Sequence, residues 1–138
     1  MKKETLNIFL TIVALIPLTF YLIISVYALY NILSKFSVDA LIILIPITLG
    51  ILGYVGLLMN LKKGKSQKWE FINLTFLISG IIGWVLFNSF VGGFEAWKWI
   101  ITIEEPDEWF TFVGPILLTL YLTIIKAKRL TTTYINHD

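Results

Sequence analysis

The ionisable residues of this chain gather in two short clusters. Glu104, Glu105, Asp107 and Glu108 lie within five positions, and Lys62, Lys63, Lys65 and Lys68 lie within seven. Carboxylates this dense could hold a divalent cation, but a calcium loop spaces its oxygen ligands over a dozen positions around a glycine turn, and that spacing is absent. Proline at position 106 with acids beside it marks instead the first turn of a helix, where unpaired N–H groups favour negative charge. The four lysines could bind anionic lipid headgroups, at ~1 kcal/mol each near a charged surface. They double as a topology signal, and so short a segment beside a membrane is not expected to bind nucleic acid.

Composition removes most other chemistry. With no cysteine there is no disulfide relay, iron–sulfur cluster or thiolate metal site. One histidine, His137, cannot form a histidine dyad or a histidine-based metal centre within one chain. No catalytic, cofactor-binding or metal-ligating residue is assigned, no cofactor is expected, and the chain is expected not to be an enzyme.

The elements that position these groups are apolar to an unusual degree. The 138 residues are 57% hydrophobic and 14% charged, with mean hydropathy +0.83, whereas a soluble domain carries about 25% charged residues. That deficit excludes a water-soluble globule. Residues 5–34, 40–61, 71–94 and 109–125 contain no Asp, Glu, Lys or Arg. About 20 apolar residues suffice to cross a bilayer, and the shortest run, the fourth, is extended backwards by the helix start at Pro106. The first run is too long for the apolar core of a signal peptide, so a retained helix is expected.

The expected fold is therefore all-α: a four-helix transmembrane bundle of two helical hairpins, one domain over residues 1–138. The helices are expected near 6–30, 40–61, 71–92 and 106–126, with loop 62–70 on one side and an interfacial loop 93–105 on the other. Nine of the eleven basic residues, Lys2, Lys3, Lys62, Lys63, Lys65, Lys68, Lys126, Lys128 and Arg129, fall on the side of both termini; only Lys35 and Lys98 fall opposite. By the positive-inside bias both termini and loop 62–70 face the cytoplasm, in what is expected to be a bacterial cytoplasmic membrane. Trp and Tyr favour the membrane–water boundary, which suits Tyr27, Tyr30, Trp69 and Trp109 and makes Trp97 and Trp99 anchors of loop 93–105. A short strand or a cap over the helix ends is the competing reading of that loop. Trp84, at mid-helix depth, is the exception.

Inside the runs, small residues recur: Gly50, Gly53 and Gly56 on helix two, and Ser79, Gly80 and Gly83 on helix three. Small residues let membrane helices approach closely, so these six are assigned to helix packing, either within the bundle or along a homo-oligomer seam. Pro17, Pro46 and Pro115 should bend three helices. The hydroxyls of Thr11, Thr48 and Thr111 are near enough in sequence to serve the carbonyls that proline frees. Polar groups available to line a central cavity are Thr19, Ser25, Thr48, Thr75, Ser79, Asn88, Ser89 and Thr119.

None of the four runs holds an ionisable group other than tyrosine, and a phenol with an ordinary pKa of about 10 keeps its proton at neutral pH. Coupled carriers and pumps keep a buried charge because it links protonation to movement. In length and helix count the chain resembles the small multidrug carriers, which depend on a glutamate embedded in helix one; here Glu4 precedes the run. The polar Thr- and Phe-rich track of the small fluoride channels is not found in 71–90. The expected function is that of a small non-enzymatic multi-pass membrane protein acting through helix contacts with partners, as an accessory subunit, a regulator or an immunity-type protein. A homo-oligomeric channel or uncoupled small transporter is the alternative. Its partners are the lipid bilayer and another membrane protein or a second copy.

Overall fold

The computed structural model describes residues 3–34, 38–62 and 66–135. Lys2, Lys35, Lys63, Lys65 and His137 lie outside the described residues. The described chain is all helical: α1 (Lys3–Ser34), α2 (Val38–Asn60), α3 (Gln67–Phe87), a π-helical turn (Asn88–Gly92), α4 (Gly93–Ile101), α5 (Pro106–Phe112) and α6 (Gly114–Ile135). Three helical stretches are long and apolar enough to cross a membrane, and four if α5 and α6 count as one bent span.

The long helices form a ring in which α1 neighbours α2 and α6, and α3 neighbours α2 and α6. Short connections make successive helices antiparallel, so the lysines at 62, 68, 126 and 128 share one end, here the basic end. Glu95 and the cluster at 104–108 share the other, the acidic end. The closest pairing is α2 on α3. Buried apolar residues are few: Ala14, Leu15, Leu57, Leu77 and Leu122 form one cluster in the basic half. The outer faces are apolar instead; on α1 alone Phe9, Ile16, Phe20, Ile23 and Tyr27 are exposed. A helix that is hydrophobic all round is suited to lipid rather than water.

Several local features depart from the sequence expectations. The fourth run is not one helix: α5 and α6 meet at Val113 with a bend of 47°. Pro115 has no N–H for the Thr111 carbonyl, and its ring crowds that turn, while Gly114 beside it is a weak helix former. Pro17 and Pro46, by contrast, sit inside helices that run through them unbroken. The threonine hydroxyls do not serve the prolines. Thr11 donates to the Asn7 carbonyl, Thr48 to Leu44 and Thr111 to Asp107, each taking the acceptor one turn back that a helical hydroxyl reaches most easily.

Helix three and the loop after it also differ from expectation. The α-helix stops at Phe87, five residues form a π-helical turn, and 93–101 is a helix rather than a loop. Asn88 Nδ2 donates to the Trp84 carbonyl at 2.8 Å, competing with the backbone, and Gly93 at φ 56° takes a conformation that favours glycine. At the other end, α6 continues beyond Lys126 to Ile135. Lys, Ala, Arg and Leu are good helix formers, so the end of the apolar run did not mark the end of the helix. α5 begins with Pro106 in its first turn, Asp107 and Glu108 beside it, and the Trp109 N–H on the Glu105 carbonyl at 3.0 Å.

Candidate functional site

The α2–α3 seam is set by backbone contact. A Cβ built on Gly53 would collide with the Gly80 Cα, and one on Gly80 would stand 2.6 Å from the Gly53 Cα. On Gly83 it would meet the Gly50 nitrogen at 2.7 Å, and on Gly56 the Leu77 nitrogen at 3.0 Å. Such approach is available only where no side chain intervenes. The structure thus brings Gly53, Gly56, Gly80 and Gly83 together between two helices of the same chain. Gly50 differs, because a Cβ there would meet nothing within 4 Å. Ser79 stays outside these closest contacts, its hydroxyl bonded to the Thr75 carbonyl at 2.9 Å within its own helix.

Gly50 opens onto a cavity of about 370 Å³ between α1, α2, α3 and α6 in the acidic half. Its wall includes Tyr21, Pro46, Tyr54, Trp84 and Thr119, with Leu57 at the end nearer the core. The wall carries no charged side chain. Two of its four hydroxyls are committed: Tyr54 pairs with Thr19 at 3.0 Å, and Thr119 donates to the Pro115 carbonyl at 2.7 Å; Tyr21 and Ser25 supply the other two. Of the polar residues expected to line a cavity, Ser25 and Thr119 do so. Thr48 and Thr75 are exposed, each bonded along its own helix.

An aromatic cluster joins the helices at the acidic end. Trp97 of α4 sets its ring edge-on to Trp84 at 5.6 Å and donates to the Ser89 hydroxyl at 3.3 Å. Trp99 packs edge-on against Phe112 of α5 at 4.8 Å, and Phe112 reaches Tyr21 at 5.8 Å. Trp99 is exposed, whereas Trp97 is thus half-buried against the bundle. Trp84, anomalous in the sequence, is the partner that draws it inward. Edge-to-face pairs of this kind contribute about 0.5–1.5 kcal/mol beyond the area they bury.

The basic half holds buried polar residues of which the sequence singles out Thr11 and Thr119 but not Asn73 or Thr123. Thr11, Asn73, Thr119 and Thr123 are buried. Asn73 Nδ2 donates across the seam to the Gly56 carbonyl at 3.1 Å, and its Oδ1 has no partner among the described residues. One turn below, Lys126 Nζ meets Glu70 Oε2 at 2.7 Å, both side chains largely covered. The available clue was placement: Glu70 and Lys126 each flank an apolar run at the same expected end.

The described members of the two ionisable clusters stay apart from the cavity. Lys62 and Lys68 are exposed at the basic end, while Glu104, Glu105 and Asp107 are exposed at the other and Glu108 is partly covered. Among the described residues no group of three or more His, Asp or Glu is placed to hold a metal ion. The chain matches no family model, no curated protein and no solved structure.

Proposed function

We propose that this is a four-crossing membrane protein with both termini on the cytoplasmic side, which works by binding partners within the bilayer rather than by catalysis or energy-coupled transport. An accessory subunit, a regulator and an immunity-type protein all fit this description. The observation that carries it is the makeup of the interior. Among the described residues the buried polar side chains are three threonines and one amide, Thr11, Thr119, Thr123 and Asn73, and the cavity wall is uncharged. Side chains of this kind hold helices together and recognise neighbours; they do not change charge near neutral pH. With four glycines spent on the α2–α3 seam, the faces left for a partner are the outer apolar ones, and of these we propose the stripe of α1 through Ile16, Phe20 and Ile23.

Photo-cross-linking in the native membrane tests this reading. A photoreactive residue replacing Ile16 or Ile23 is expected to give one discrete protein adduct, while the same residue at Leu120, exposed on α6, gives only lipid adducts. Lipid adducts alone from all three positions contradict the reading. The cavity favours a second reading, a homo-oligomeric channel or uncoupled small transporter. Against a through path, the cavity ends at Leu57, which packs with Ala14, Leu15, Leu77 and Leu122. Saturable flux of a solute into liposomes holding the purified chain would favour this second reading.

A further inference from the structure

We infer that the cavity is a binding site for a single extended hydrocarbon chain. Its shape is the first argument. The cavity reaches from Ile43 to Leu57 along α2 and from Gly80 to Val91 along α3, about 16–21 Å at 1.5 Å per residue. A volume of about 370 Å³ drawn out over that length makes an elongated slot rather than a compact chamber. The volume itself lies within the range of small-molecule sites.

The second argument is Gly50. Along one face of α2, Pro46, Gly53 and Leu57 are buried, yet Gly50 between them is accessible, because the slot reaches its backbone. Glycine in a helix interior is unfavourable relative to alanine, and nothing meets its missing side chain. The position does not keep two helices in contact through its own Cβ direction, as Gly53 and Gly80 do. What the absent side chain maintains is open space in the wall.

The third argument is the chemistry of that wall. It is aliphatic and aromatic for the most part, without charge; Tyr54 and Thr119 spend their hydroxyls on protein partners, and Tyr21 and Ser25 add two more hydroxyls. An apolar cavity stays dry and takes up apolar molecules, and no charged group is present to hold an ionised head. The occupant is therefore the hydrocarbon part of its ligand, whether an acyl chain of a membrane phospholipid or a free long-chain acid. This site adds a ligand to the protein and needs no protein partner, so it stands or falls separately from the reading above.

Two photoreactive probes test it: palmitic acid bearing a diazirine, and a phosphatidylcholine bearing the same group in one acyl chain. Each is added to the full chain in vesicles of dioleoylphosphatidylcholine, and the adducts are mapped by mass spectrometry. Saturable labelling is expected on the α2 and α3 segments around Gly50 and Trp84. Gly50→Phe, and Ser25→Phe from the α1 wall, should each reduce it at least fivefold while labelling near Ile16 is unchanged. Cavity labelling by both probes assigns a phospholipid chain, and by the acid alone a free chain; either supports the site. Wild-type labelling confined to outward faces overturns it without recourse to any variant. So does cavity labelling that persists in both variants.

Discussion

Gly50 and Gly53 lie one turn apart on α2 and have opposite roles. A methyl group on Gly53 strikes the Gly80 Cα, so Gly53→Ala must push α2 and α3 apart, at a cost of about 1–3 kcal/mol typical of overpacking. A methyl group on Gly50 enters open space, and Gly50→Ala should stabilise the chain by about 0.4–1 kcal/mol, because alanine has less freedom to lose on folding. Thermal unfolding in a mild detergent should show the first variant melting lower than the parent and the second higher; equal losses would mean that both glycines face backbone. Sequence spacing assigned the two residues the same role because it reports which face a residue shares, not what stands opposite. Asn73 escaped notice for a similar reason. In the sequence it is one amide in an apolar run, and only the packed bundle shows that it is buried and bonded to Gly56. A hydrogen bond between membrane helices contributes roughly 0.6 kcal/mol on average, and a buried acceptor left unpaired costs about 1–3 kcal/mol, so the amide contributes specificity of register more than net stability.

At the scale of elements, the long apolar helices were legible because an unbroken run without charge has few other outcomes. Their interruptions were less so. All three interior prolines carry the same intrinsic penalty, yet α1 and α2 continue through theirs and the chain breaks only before Pro115. The difference lies in context: Gly114 precedes Pro115, and the short α5 gains aromatic contacts to Trp99 and Tyr21 by turning. The sequence of the segment after Gly93 suits an interfacial loop, yet the apolar residues flanking Glu95 and Lys98 form a helix. Glu70 and Lys126 add an ion pair to the apolar packing of α3 on α6. Glu70→Gln leaves a largely covered ammonium without its counter-ion, and should destabilise by about 1–2 kcal/mol, between the values for exposed and buried pairs. The double variant Glu70→Lys with Lys126→Glu should recover most of that loss. If the exchange recovers nothing, the pair is incidental to the docking of α6.

For the whole molecule, the two halves differ in kind. The basic half is packed around Leu57, Leu77 and Leu122 and cross-tied by Asn73 and the ion pair. The acidic half surrounds the cavity, with the aromatic residues of α4 and α5 drawn against it. The sequence suggested which end is which through its charges, but not that one end is filled and the other hollow, because cavities depend on how bent helices meet. The central proposal is that four stretches cross the bilayer with the basic end inside, and a chain that has no cysteine suits a direct test by single-cysteine labelling. Ser66 and Thr102 are both exposed, at opposite ends of the bundle. In intact cells a membrane-impermeant maleimide is expected to label Thr102→Cys and to spare Ser66→Cys until the membrane is opened. Labelling of Ser66→Cys with protection of Thr102→Cys would reverse the orientation, and equal labelling of both in intact cells would contradict the crossing itself.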